Sequence, residues 1–594
     1  KSYYTMGEPA SLKSTDGRAV YFFVDLDDEV TQSTVAQKLV DTFDGKFQGA
    51  EIHFAGFAAV TSELNESIKH DIVRAELIAV PITLILLTFV FGSLVAAGLP
   101  LLVGGLAILG SFFFMWISTQ VTDTSIFSMN LITGLGLGLG IDYALLMVNR
   151  FREERDRDVA VKQAVINTVT TAGRTVLFSG LTVAIVLSSL AFFPQYFLQS
   201  FAIGGVVVVL LAVAGALLVL PAELTRLGDR VNKFKVIKSA GKPKQSVGWA
   251  KVARFVMKRP ISIVLLSILI LGIFAAPIKN IAFSQGDSRM LPASNPAAIA
   301  TALQAERFEG QTGNPIEILI IGGAGKDAEI GAYLAEVAKV SGVVAVTPPK
   351  SYGKDIRVVA YESMLPRTPE AQKMIHDLRD ITAPDGTLIG GVAADYTDSQ
   401  DGIAHTLPWA LGWIALSVLV LIFIFTGSII LPIKAVLLNV LSLGATMGAL
   451  TWVFIDGHLR WLIGDFTLTG TLDTSIVILI AVVVFGLSMD YELFLLSRIR
   501  EEHMAGKSNV EAVATGLQRS ARIITAAALL LAVVFAAFIT SGVTSIKSMG
   551  FGVALAVLLD ASIVRGLLVP ALMRLFGERN WWAPKSMQKF TITH

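Results

Sequence analysis

Eleven runs of about 20 mostly apolar residues constrain this chain more than any other feature, because a helix of that length crosses the hydrocarbon core of a bilayer. They lie near residues 75–95, 98–118, 126–148, 171–193, 198–221, 259–278, 406–427, 431–454, 472–496, 519–541 and 546–570. Five are packed together, one stands alone after a basic linker, and five more are packed together. Charged residues make up 16% of the chain, against about a quarter in a water-soluble domain, so lipid solvates much of the folded surface. Residues 1–70 and 279–405 are polar and read as folded, water-facing stretches. In the first, 19–26 and 51–54 have the pattern of strands and 30–43 that of a helix. In the second, 316–321, 343–347 and 356–361 read as strands and 328–340 and 369–378 as helices. Such alternation predicts small α+β units.

Basic residues set the orientation. Residues 223–259 hold eleven Lys/Arg against Glu223 and Asp229, and Arg150, Arg152, Arg155, Arg157, Arg498 and Arg500 follow the third and ninth runs. These loops are expected in the cytoplasm, together with the tail carrying Arg574, Arg579, Lys585 and Lys589. The α+β stretches, an odd number of spans away, then face outward. The predicted division is an outward domain at 1–70, a five-helix bundle at 71–222, a cytoplasmic linker at 223–258 and one span at 259–278. A second outward domain at 279–405, a second five-helix bundle at 406–570 and a cytoplasmic tail at 571–594 complete it. The net charge of +1 gives no reason to expect a nucleic-acid partner. Zero cysteines remove disulfides, thiolate nucleophiles, Cys-ligated zinc and iron–sulfur clusters.

The chain repeats itself. Gly56-Phe57-Ala58-Ala59 recurs as Gly391-Val392-Ala393-Ala394, and Gly92-Ser93 as Gly427-Ser428, at an offset of 335. Past an extra loop of 13 residues the offset becomes 348, placing Asp142-Tyr143 on Asp490-Tyr491, Arg174 on Arg522, Ser200 on Ser548 and Gly204 on Gly552. Two halves of equal topology predict a pseudo-two-fold axis along the membrane normal, the parallel kind of transporter repeat. Because the span at 259–278 has no partner here and Lys1 is not an initiator Met, the expectation is a complete protein of twelve spans whose first outward domain begins before residue 1.

Ionisable residues are rare in the middle of the spans, which makes the exceptions readable. An Asp at the centre of a membrane helix costs about 2.5–3.5 kcal/mol on insertion scales, yet Asp142 and Asp490 sit there at equivalent repeat positions. The symmetry brings their helices face to face, so each acid could take a proton from outside and release it inside. Tyr143 and Tyr491 can donate to the neighbouring carboxylate or pass a proton by way of water. The plain alternative is polar glue between helices. Asp560, with Arg565 five residues on, reads as a salt bridge locking helix ends or as a further member of the relay. Phe494, three residues after Tyr491, either shuts the relay from water or simply packs. Asp71, Arg74 and Glu76 at the outer end of the first span could line the mouth of a path for an amphipathic substrate, or form a solvated helix end. The glycines at 134, 136, 138 and 140 lie inside an apolar span, so they serve close packing rather than a nucleotide. Residues 322–327 miss the phosphate-loop pattern, so no nucleotide is expected. No histidine pair or acid cluster supports a metal, and no nucleophile–base set supports an enzyme.

These residues carry a resemblance. The run Gly140-Ile141-Asp142-Tyr143 leading to Asn149–Glu154, the tetrad Met489-Asp490-Tyr491-Glu492, the segment 522–527, Leu559-Asp560-Ala561 with Arg565 and Pro570, and Trp581-Trp582-Ala583-Pro584 resemble the RND superfamily and, within it, the MmpL family of actinobacterial envelope transporters. The resemblance implies an α-helical polytopic membrane protein of RND fold, with two α+β periplasmic porter-type domains and two pseudo-symmetric halves, in the cell inner membrane. It implies proton-driven export of a lipid or glycolipid, with protons as coupling ion, no other cofactor, and the Asp–Tyr pairs as relay. The compact second outward domain and the Trp-Trp-Ala-Pro tail look most like the branch that moves trehalose monomycolate. Accessory envelope proteins and a monomeric or trimeric state remain open as partners. So do three other roles: siderophore or drug efflux, a sterol-sensing or receptor-like protein of the superfamily, and an auxiliary motor for protein secretion.

Overall fold

The computed structural model describes residues 12–20, 22, 24, 32–47, 49–236, 247–308 and 315–584. Most of the strand expected at 19–26, and Lys585 and Lys589, lie outside the described residues.

The first half opens with α1 (Gln32–Phe43) and a hairpin of β1 (Gly45–Phe47) and β2 (Ala50–Ile52). Helix α2 (Phe57–Phe91) then runs unbroken through the expected boundary at residue 70, so the outward domain and the first span share one 35-residue helix. Its bundle continues with α3 (Leu94–Ser118), α4 (Phe127–Arg155), the short α5 (Val161–Thr168), α6 (Arg174–Ser188), α7 (Tyr196–Ala214) and α8 (Leu220–Leu227). In the linker lies α9 (Val247–Lys258), and α10 (Pro260–Ala275) is the lone span.

Strand β3 (Phe283–Ser284) and α11 (Pro296–Arg307) lead into the second outward domain. There β4 (Ile316–Ile320), α12 (Asp327–Val337), β5 (Val343–Val346), β6 (Lys350–Tyr352), β7 (Asp355–Glu362), α13 (Pro369–Arg379) and β8 (Thr387–Gly390) follow in turn. The sheet is antiparallel in the order β5-β7-β4-β8, with β6 also on β7. Alternation along β7 sends Ile356, Val358 and Ala360 into a core shared with α12 and α13. The sequence reading missed β6, which is short and exposed throughout, and β8, which is short and mostly half-buried.

Glu362 ends that inward row, fully buried and with neither carboxyl oxygen bonded among the described residues. Burial pushes its carboxyl up to about 8 from 4.5. The folded state therefore holds a proton that the unfolded chain has lost, and stability falls as pH rises from 4.5 through about 8, levelling above. Glu362→Gln removes that titration. Melting curves should find the variant close to wild type near pH 4.5 and about 4–5 kcal/mol more stable near pH 9. A difference that does not change with pH would refute the assignment.

The second half runs α14 (Val392–Thr426), α15 (Ile430–Leu450), α16 (Arg460–Ile463), β9 (Leu472–Asp473), α17 (Thr474–Met504), α18 (Asn509–Ala537), α19 (Thr544–Leu559) and α20 (Val569–Phe576). Like α2, α14 is 35 residues long and crosses the expected boundary at residue 405. Among the described residues, eleven helices are long and apolar enough to cross a membrane.

The duplication is visible atom by atom. Gly92 and Gly427 stop α2 and α14 in the left-handed conformation, at φ 68° and 71°. Ser93 and Ser428 follow, and each hydroxyl donates to the carbonyl of a segment closing its own bundle, Val231 and Asn580 respectively. Arg152 on α4 donates to the Phe91 carbonyl, and Arg500 on α17 to that of Phe425, each placing a cation at the end of a preceding span.

Candidate functional site

Helices α4 and α17 carry the duplicated acids and are almost wholly buried. Small residues make this possible on α4: a Cβ at Gly140 would lie 2.5 Å from the Gly104 Cα, so α3 and α4 touch backbone to backbone. On their other sides α4 leans on α18 and α17 on α6, the equivalent helix of the other half.

Asp142, Tyr143, Asp490, Tyr491 and Phe494 line one cavity of about 10 Å³, closed by Ile523, Ile524 and Ala527 of α18. That is room for about one water molecule. The Tyr491 hydroxyl donates to Asp142 Oδ2 across the pseudo-axis. In the mirror position Tyr143 stands close to Asp490 without hydrogen-bond geometry. Asp490 Oδ1 instead accepts from Ser179 on α6, and the Tyr143 hydroxyl has no bond among the described residues. The difference traces to one residue: at an offset of 348, Ser179 corresponds to Ala527, which has no hydroxyl to offer Asp142. Neither acid of the pair is ion-paired among the described residues.

Asp560 and Arg565 form a buried bridge, with Nε to Oδ2 at 2.6 Å. Five residues apart on an α-helix they would point to different faces, but 560–568 is wound as a π-helix, which brings i and i+5 together. The bridge does not lock helix ends. It lies inside the span, where Arg565 donates to the Ser488 carbonyl on α17, sits 5.1 Å over the Tyr491 ring, and Ser488 Oγ donates to Asp560 at 2.8 Å. The fixed cation thus belongs to Asp560 and leaves Asp490 unpaired.

Asp71 is buried and accepts from Ser541 Oγ at 2.5 Å and from the Gly542 amide at 3.0 Å, tying α2 to the turn between α18 and α19. Arg74 and Glu76 are exposed on the same helix. The three are therefore not gathered into one lining.

Sequence reasoning missed Ser179, Asn439, Ser488 and the buried pair Lys434 and Glu492, which lie within electrostatic reach of each other. Lys434 was legible, being the lone lysine in its apolar run. The hydroxyls and the amide were not, because such residues are common in spans for packing alone.

Duplicated bundles that each bury an acid at the equivalent central position, with α+β domains on one side, define an RND-type polytopic membrane protein. Two crystal structures of SecDF share the fold at 14% identity. One, in its super-membrane-facing form, gives a TM-score of 0.51 over 87% of this chain and 63% of its own. The other, from Thermus thermophilus, gives 0.55 over 86% and 63%. The MMPL family model matches residues 8–263 and 290–592, and the chain belongs to that family. Among relatives, a putative membrane protein of Streptomyces coelicolor is 39% identical over 97% of this chain and 81% of its own. The trehalose monomycolate exporter MmpL3 of Mycolicibacterium smegmatis is 33% identical over 98% of this chain, which spans 61% of that protein. The mycolic acid-containing lipids exporter MmpL11 of the same organism is 32% identical over 92% of this chain and 59% of its own. The protein is a multi-pass inner-membrane protein.

Proposed function

We propose that this chain exports a lipid or glycolipid to the outer envelope, driven by protons that the Asp142–Tyr491 and Asp490–Tyr143 pairs take up and release. The observation that carries the reading is that two acids from equivalent repeat positions share one cavity, with neither in an ion pair among the described residues. An ionised pair there would repel in a low dielectric, so protonation couples directly to how closely α4 and α17 approach. Moving one charge through about 100 mV yields about 2.3 kcal/mol, enough to bias two arrangements of the bundles. With the bundles rocking, a lipid path would open between the outer leaflet and the outward α+β domains. Trehalose monomycolate is the substrate favoured by the relatives named for it.

The test is lipid movement in proteoliposomes under an imposed pH gradient. Asp490→Asn keeps size and shape but holds no exchangeable acid, and should cut gradient-driven movement by about a hundredfold. Equal rates in variant and wild type would end the proposal.

A further inference from the structure

The two halves are alike in topology and unlike in the polarity of their helix seams. Where α3 meets α4, Gly104 and Gly140 are in backbone contact. The repeat places Asn439 and Ser488 at the same two positions, bonded to one another, and α15 stands away from α17 over most of its length. One turn further out, Ala107 of the first half corresponds to Ser442. Asn439 Nδ2 and Ser442 Oγ are buried and have no partner among the described residues. Thr446 continues the same face of α15, also fully buried.

At the outer ends of α17 and α19 lies a cavity of about 40 Å³, lined by Gln285, Thr471, Asp473, Thr544, Ser545 and Ser548 among others. Gln285 Oε1 and Thr544 Oγ1 are again buried without partners among the described residues. Space of that size holds about three waters, and unpartnered buried polar groups are what internal water binds. Between cavity and stripe, Leu450 and Ile480 close on Gly552 as an apolar collar. Among the described residues, α3, the counterpart of α15, carries no buried polar side chain without a partner. Elsewhere in that half Ser189 Oγ and Gln195 Oε1 are buried without partners near the outer ends of α6 and α7, and Asn130 on α4 is separated from Asp142 by Phe535 and Leu531, which fill the faces of Gly134 and Gly138.

We infer that water enters from the outer face through the second half alone, passing the Leu450–Ile480 collar and running along Ser442 and Asn439 to Ser488, Asp560 and Asp490. This deepens the proton-relay reading by giving the relay an intake, but the path can be measured whether or not protons do work.

The cysteine-free chain makes the test clean. Single variants Ser442→Cys, Thr446→Cys, Ala107→Cys and Ser111→Cys are reconstituted right side out. Each is treated with external Ag⁺, quenched, denatured and labelled with a fluorescent maleimide. A thiol in water reacts and a dry buried thiol is inert, so external Ag⁺ should reduce labelling of the two second-half variants by about tenfold and leave the two first-half variants nearly unchanged. Equal protection in both halves, no protection of Ser442→Cys, or protection only by Ag⁺ trapped inside the vesicles would overturn the inference. If Thr446→Cys does not fold, Ser442→Cys decides alone. The same protection is expected in an Asp490→Asn background. Failure of the relay would appear as unchanged lipid movement in that variant, failure of the intake as loss of Ag⁺ protection.

Discussion

Arg565→Leu is expected to destabilise the second bundle by about 3–5 kcal/mol, because it leaves Asp560 buried with no cation. The loss exceeds that of an ordinary ion pair, since Arg565 also satisfies the Ser488 carbonyl on α17. Thermal melting in detergent measures it. The pair Asp560→Leu with Arg565→Leu should recover most of the loss, as removing both charges removes the uncompensated one. A double variant no better than the single would mean that the bridge acts through packing instead.

Gly140→Val should be at least as damaging, at about 3 kcal/mol or more. Its Cβ would fall 2.5 Å from the Gly104 Cα and 2.6 Å from the Gly104 nitrogen, and a backbone cannot step aside as a side-chain tip can. The matched control is Ser488→Ala at the equivalent position. There α15 and α17 already stand apart, so about 1 kcal/mol is expected from the lost bonds to Asp560 and Asn439. Comparable melting points for the two variants would contradict the difference in packing between the halves.

Much of this architecture was readable in advance, for a definite reason. Hydrocarbon admits few ionisable residues, so Asp142, Asp490, Asp560 and Arg565 announce themselves against their apolar runs. The repeat offset fixed which residues are equivalent, and so that the helices of Asp142 and Asp490 face one another, but the bond from Tyr491 to Asp142 across the axis came only with the fold. What stayed hidden depended on winding and on small polar groups. The i, i+5 spacing of Asp560 and Arg565 says nothing of a π-helical turn, and Ser179 is one serine among many in the spans. Asp71 read as exposed because it sits near a helix's outer end. Only the fold brings Ser541 and Gly542, from the far half of the chain, onto its carboxylate.

The two-residue parallel ladder of β3 and β9 has a mechanical consequence. It joins the outer extension of α10 to the first residue before α17, whose opening turn is held by Asp473. These two spans are thus yoked at their outer tips, so the start of the helix bearing Asp490 and the end of α10 are tied to move together.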